Sequence, residues 1–124
     1  MPTIALTISL TIDEKVPLGF PLTFTQDVDE ITQLIPSEKS ADGNATSFTA
    51  LSIGDVDTVQ FLFFKAISQA LGLRIEGSES SSTAIRLDAG GFLLAGKVTL
   101  TDSNITLNNN AGAVGTYNCL AGGT

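Results

Sequence analysis

The sequence has 124 residues, and its 13 acidic and 6 basic side chains give a net charge of −7 at pH 7. Nucleic acids and anionic membrane surfaces bind through clusters of Lys and Arg, so we expect neither of them as a partner. The length, without a linker-like stretch, predicts a single domain over residues 1–124 with a sizeable core. No apolar run is long enough to cross a bilayer, and the first residues lack the pattern of a signal peptide. We therefore expect a chain that stays in the cytoplasm where it is made until something else releases it.

The residue inventory excludes most catalytic chemistry. The chain has no His and one Cys, so it cannot form a Ser-His-acid or Cys-His catalytic set. Zinc and haem sites also lack their usual ligands. We therefore expect no enzymatic activity and no cofactor, and we interpret Cys119 as a small buried apolar residue. Twelve Gly residues, few charges and no Trp favour a β protein with many turns.

The first predicted elements are two strands joined by a turn. Residues 3–12 alternate between large apolar residues and Thr, Ser or Ala, which predicts a strand with one buried face. A turn follows at residues 13–15. Alternation resumes over residues 20–25, and Pro21, which has no N–H to donate, places this second strand at a sheet edge.

The next stretch is ambiguous. Residues 27–35 fit either a short helical turn or an irregular strand, and Pro36 is expected to end it. Residues 37–46 contain Asp-Gly-Asn and predict a polar loop with a turn at its middle. Residues 48–53 predict extended structure again.

Residues 55–66 contain three of the seven Phe residues and form the densest apolar run of the chain. In a strand, Phe61 and Phe63 would point to one face, and Leu62 and Phe64 to the other. Both faces would then be apolar, which is typical of a strand covered on both sides.

A helix is the alternative for this stretch. Its apolar residues also recur at helical spacing, Asp57 can cap such a helix, and Gly72 can end it. Two of the three Phe residues lie off that apolar stripe, however, and the flanking segments predict strands. We therefore predict a central strand to about Ala66, followed by a bend at residues 68–69.

Residues 71–76 and 85–88 predict a hairpin whose loop is residues 77–82. Leu and Ile would face inward on both arms, and alternating Arg and acidic residues would pair across the outer face. The remaining elements are a tight turn at residues 88–91, a short buried run at 92–94, strands at 97–100, 105–107 and 114–120, and turns at 101–103 and 108–112.

Together these segments make about eight to ten short strands at a spacing of roughly 8–12 residues. This rhythm predicts an all-β fold, an antiparallel β-sandwich of jelly-roll type with little helix.

Two carboxylate pairs are candidate ligands for calcium, which prefers carboxylates in loops. They are Asp27 with Asp29, and Asp55 with Asp57, and the second pair would project from one face of a strand, about 7 Å apart. No Asp-x-Asp-x-Asp-Gly loop accompanies either pair, so we expect no metal site and interpret these residues as turn-forming surface groups.

Several stretches carry a resemblance to one class of proteins. They are residues 54–63 (Gly-Asp-Val-Asp-Thr-Val-Gln-Phe-Leu-Phe), 73–77 (Leu-Arg-Ile-Glu-Gly), 85–96 (Ile-Arg-Leu-Asp-Ala-Gly-Gly-Phe-Leu-Leu-Ala-Gly), 105–112 (Ile-Thr-Leu-Asn-Asn-Asn-Ala-Gly) and 120–122 (Leu-Ala-Gly). In this order they resemble small β-sandwich virion proteins of tailed bacteriophages. The resemblance implies a capsid decoration (cement) role or another minor structural place in the virion. It carries over no catalytic residues, and the run Phe-Leu-Phe-Phe is more apolar than such proteins lead us to expect.

A surplus of apolar side chains points in the same direction. A sandwich has one core between its two sheets, so one row, either Phe61 with Phe63 or Leu62 with Phe64, should face outward and form an interface. We expect a homo-oligomer, a trimer or dimer, that binds the major capsid protein or another virion protein and is located in the virion. The alternatives are a carbohydrate- or ligand-binding sandwich and a minor component of the tail or neck.

Overall fold

The computed structural model describes residues 1–75, 84–101 and 104–124. These residues form an all-β structure in which every strand pairing is antiparallel, as predicted. The strands are β1 (Thr3–Ile8), β2 (Leu22–Asp27), β3 (Glu30–Lys39), β4 (Thr49–Ala50), β5 (Thr58–Ala66), β6 (Leu71–Ile75), β7 (Ile85–Leu87), β8 (Phe92–Thr101), β9 (Ile105–Asn108) and β10 (Gly115–Gly123).

In the described part of the chain, two four-stranded sheets enclose the core. The first sheet has the order β3-β10-β5-β8, the second has the order β4-β9-β6-β7, and β1 and β2 form a separate two-stranded ribbon. Inward residues of both sheets meet in one cluster that contains Phe64, Leu62, Leu73 and Leu107. The predicted sandwich is therefore confirmed, with a hairpin added to it.

Strand β5 has the central place that its sequence predicts. It is a strand rather than a helix, it ends at Ala66, and a bend follows at residues 68–69. It begins at Thr58, so Asp55 and Asp57 precede it and do not project from a common strand face. Its neighbours on both sides are β10 and β8.

The first hairpin is shorter in its paired part than the alternation predicts. The β1–β2 ladder runs from Thr3 opposite Asp27 to Ile8 opposite Leu22. Residues 9–11 leave the ladder, so the prediction of one strand over residues 3–12 was wrong in its second half. Residues 13–14 form the predicted turn, with positive φ at both positions, as a tight hairpin turn of the I′ type requires.

Strand β3 corrects the prediction for residues 27–39. It is a ten-residue strand that continues through Pro36 into the segment predicted to be a loop. Pro36 does not end the strand because β3 is an edge strand, where one side of the backbone needs no ladder partner. The register against β10 shifts between Tyr117 and Cys119, which accommodates the irregularity.

The second half of the chain follows the prediction in most places. Strands β6 and β7 pair as the predicted hairpin. Three predicted parts lie outside the described residues: the loop of this hairpin at residues 77–82, the acidic residue Glu76 on its outer face, and residues 102–103 of a later turn. The turn at residues 88–91 closes with a 2.7 Å hydrogen bond from the Gly91 N–H to the Asp88 carbonyl. The prediction that residues 92–94 are buried was wrong for Phe92, which is 62% exposed.

Candidate interaction surface

The outer face of the first sheet is apolar, and the β1–β2 hairpin covers one row of it. Gly122, Phe61 and Gly96 lie side by side on β10, β5 and β8. Ile4 lies over Gly122, and Phe24 lies over Gly96 with its ring centroid 6.0 Å from that of Phe61. The hairpin thus runs across the strands of the sheet, and it leaves Phe61 only 4% exposed.

The two glycines of this row make room for the hairpin. A Cβ atom on Gly96 would lie 2.7 Å from Cζ of Phe24, and one on Gly122 would lie 2.8 Å from Cδ1 of Ile4. Both distances are shorter than van der Waals contact, so larger residues would lift the hairpin from the sheet. The sheet surface is therefore shaped for these two side chains.

The next row of the same face is left partly open by the described residues. Leu120, Phe63 and Leu94 lie side by side on β10, β5 and β8, and each is only partly buried. With β1 along one side, they line an open cavity of about 340 Å³, which we call the trough. A second cavity of about 260 Å³ continues from it beneath the far end of the hairpin. All side chains that line the two cavities are apolar.

Strand β1 offers hydrogen-bonding groups along the trough. The Val28 N–H donates to the Pro2 carbonyl, so Pro2 and Val28 are a hydrogen-bonded pair of the β1–β2 ladder. Hydrogen-bonded and non-hydrogen-bonded pairs alternate along an antiparallel ladder, so the main-chain groups of Thr3, Ala5 and Thr7 point away from β2. Ala5 lines the trough, and β1 has no strand neighbour other than β2 in the described part of the chain. This edge can therefore accept another extended segment.

The tip of the hairpin, residues 9–21, extends beyond the paired part. It carries four exposed large apolar residues, Leu10, Ile12, Val16 and Leu18, and the last of them is fully exposed. Two main-chain hydrogen bonds of 2.8 and 3.0 Å between Ile12 and Lys15 keep the turn narrow. The hairpin passes over Gly96 on the edge strand β8, so its tip projects past the sheet.

The outer face of the second sheet has a different chemistry. The Arg74 guanidinium lies 4.0 Å from the centroid of the Phe48 ring. The Arg86 side chain lies over Gly72, and its Nη1 is 3.5 Å from the position that a Cβ atom on Gly72 would occupy. The outer face of the second sheet thus carries Arg side chains, whereas the middle of the outer face of the first sheet is apolar.

The predicted interface residues separate into two groups. Leu62 and Phe64 are fully buried in the core, and the ring of Phe64 stacks on Tyr117 at 5.1 Å. Phe61 and Phe63 point outward from the sheet, Phe61 under the hairpin and Phe63 in the trough. Sequence reasoning did not find that the hairpin covers Phe61, although Gly96 and Gly122 are a signal for a close approach at a sheet surface.

Residues of both carboxylate pairs make local hydrogen bonds. Asp27 accepts a 2.6 Å hydrogen bond from Oγ1 of Thr3, and the N–H of Asp57 donates to the Thr124 carbonyl. Among the described residues, no group of three or more His, Cys, Asp or Glu side chains could hold a metal ion.

A buried polar network has a structural role. The Asp42 carboxylate accepts hydrogen bonds from the main-chain N–H of Asn109 at 2.6 Å and from Nζ of Lys39 at 2.9 and 3.0 Å. The N–H of Asn109, with the help of Lys39, holds the pKa of Asp42 below its ordinary value despite partial burial. Nδ2 of Asn108 donates to two carbonyls of residues 44–47. The network therefore fixes the loop after β3 against the end of β9.

Cys119 lies in the core, as its sequence context predicts. Burial raises the pKa of its thiol to about 12, so that the reactive thiolate is scarce at neutral pH.

Comparison with known protein families, curated proteins and solved structures finds no match to this chain. Within the described residues, no helix has the length and apolar character needed to span a membrane.

Proposed function

We propose that this chain is a non-enzymatic structural protein of a virion, a decoration (cement) protein that binds a bacteriophage capsid and stabilises it. One observation carries the proposal: the first sheet has apolar side chains on both faces, and among the described residues the hairpin covers only one row of those on the outer face. Partly exposed Phe and Leu side chains in one contiguous patch are characteristic of surfaces that bind other proteins. The resemblance of the sequence to virion sandwich proteins supplies the kind of partner.

The residue inventory supports a role in binding rather than in catalysis. A general base that works near neutral pH is usually a His, and the chain has none. Its single thiol is buried. The work of the protein would then lie in its contacts, with copies of itself and with the capsid.

The test uses shells assembled from the major capsid protein of the same virus, with the purified chain added. We expect the chain to sediment with the shells and to raise their melting temperature, and we expect Phe63→Ser to weaken both effects. Arg86→Ser, on the cationic outer face of the second sheet, is the matched control and should bind as the unchanged protein does. A chain that stays in the supernatant at every concentration would contradict the proposal.

The cavities favour a second candidate, a module that binds an apolar ligand. Their lining is wholly apolar, whereas a carbohydrate site needs polar groups that converge on hydroxyls. If the chain is a binding module, we therefore expect its ligand to be aliphatic. The test is to titrate the isolated chain with a fluorescent fatty acid. Saturable binding that Leu94→Asp abolishes would favour the module.

A further inference from the structure

Within the described residues, two apolar surfaces have no cover, and the course of the hairpin keeps them apart in a single copy. The trough lies over the middle of the first sheet, beside β1. The tip follows Ile8 at the end of a continuous ladder and projects past the edge strand β8. To fill its own trough, the hairpin would have to give up the contacts of Ile4 with Gly122 and of Phe24 with Gly96.

The trough defines what can occupy it. Its floor of Leu120, Phe63 and Leu94 accepts apolar side chains. The free edge of β1 accepts an extended backbone, since the outward main-chain groups of β1 lie along it. At the far side of the trough, Lys65 follows Phe63 on the same face of β5 and is exposed, so the rim favours a negative charge.

The tip meets these three requirements. On either side of its turn at residues 13–14, the tip carries the exposed apolar residues Leu10, Ile12, Val16 and Leu18. The Ile12–Lys15 bridge closes the turn at residues 13–14, and residues 9–11, beyond the end of the β1–β2 ladder, have no strand partner among the described residues. Asp13 and Glu14 at the turn supply the negative charge that would lie near Lys65.

We propose that the tip of one copy occupies the trough of a second copy. Reciprocal exchange of tips would make a two-fold dimer, and exchange in one direction around a ring would make a trimer. The inference rests on the proposed function and deepens it, because it assigns the trough, with Phe63, to a second copy of the chain. Phe63→Ser would then weaken shell binding through the loss of the oligomer. The mass of the free chain and its sedimentation with shells are measured separately, so the failure of one proposal does not decide the other.

The first experiment removes the apolar tip and measures the mass of the full chain by light scattering after size exclusion. Ile12→Ser with Leu18→Ser should reduce the oligomer to monomers and leave the melting temperature of the monomer unchanged, since both side chains are exposed in the single copy. Val114→Ser removes a similarly exposed apolar side chain between β9 and β10 and is the matched control, which should remain oligomeric.

The second experiment reverses the charges that are proposed to meet. Lys65→Glu and Glu14→Lys should each raise the dissociation constant of the oligomer by about tenfold or more at low salt, and the chain with both changes should recover most of the affinity. Arg86→Glu changes the net charge by the same amount as Lys65→Glu but lies on the other sheet, and should leave assembly unchanged.

Three results would overturn the inference. If the unchanged chain is a monomer at high concentration, no tip exchange occurs, even when the monomer binds shells and the proposed function stands. If the oligomer survives the loss of Ile12 and Leu18, another segment forms its contacts. If the double charge reversal is no tighter than the single ones, Glu14 and Lys65 do not meet.

Discussion

Neighbouring residues of β5 should respond very differently to truncation. Phe64 is fully buried and stacks on Tyr117, so Phe64→Ala should remove about 3–5 kcal/mol of unfolding free energy, the range for deleting a buried Phe ring. Phe63 is partly exposed, and its ring lies 6.3 Å from that of the exposed Phe92. The area term alone then gives about 1 kcal/mol for Phe63→Ala in a single copy.

The measurement is urea unfolding followed by far-UV circular dichroism, at a protein concentration low enough to keep the chain monomeric. The dependence of the unfolding free energy on urea should be the same for both variants, so the midpoint alone reports the difference. At high concentration, Phe63→Ala should in addition weaken the oligomer. Equal losses of stability for Phe63→Ala and Phe64→Ala, with no change in assembly, would refute the assignment of one residue to the core and the other to an outer contact.

Three further predictions concern the hairpin, a carboxylate and the thiol. Gly96→Ala should release the hairpin because the new Cβ atom would lie 2.7 Å from the ring of Phe24. Overpacking of this kind destabilises by about 1–3 kcal/mol, so the rate of amide hydrogen exchange in β1 and β2 should rise by about tenfold or more. Gly72→Ala is the control and should leave exchange unchanged, since a Cβ atom there would meet no atom closer than 3.5 Å. The pKa of Asp42 is lowered in the folded state, so the contribution of this carboxylate to stability is complete above the unfolded pKa and is lost as the pH falls below about 4. Asp42→Asn should therefore be less stable than the unchanged chain at neutral pH and should lose less stability on acidification. If the unfolding free energies of the two chains change in parallel with pH, this prediction is wrong. Cys119, with its pKa raised to about 12 by burial, should react with a thiol reagent at pH 8 only as fast as the core opens, and immediate labelling of the folded chain would contradict its place in the core.

Much of the fold follows from local patterns. The period-two alternation predicted β1 and β6, and the double-faced apolar run predicted β5, because burial on one or both faces leaves its mark in consecutive residues. The passage of β3 through Pro36 was not predictable in this way, since a Pro is tolerated within a strand only at a sheet edge or at a bulge. That condition depends on the whole sheet, which no local pattern contains.

The candidate surface was predictable in part. Alternation showed that β5 has two apolar faces, but the choice of the outward row depends on how the sheet sits against the second sheet. The apolar run at residues 92–94 predicts that Phe92 is buried, yet Phe92 lies on the outward face of an edge strand, in the row next to the trough. The hairpin that covers Phe61 comes from residues far away in the sequence, so its position is a property of tertiary packing.

The place of β10 in the first sheet has a consequence for biosynthesis. This strand is translated after the nine other strands of the described residues, yet it lies between β3 and β5 and pairs with both along most of its length. Until it leaves the ribosome, β3 has no ladder partner and β5 is paired on one side only. A nascent chain in which β5 has been made and β10 has not therefore presents unsatisfied strand edges on β3 and β5, and a ribosome that stalls before Gly115 yields a chain prone to aggregate.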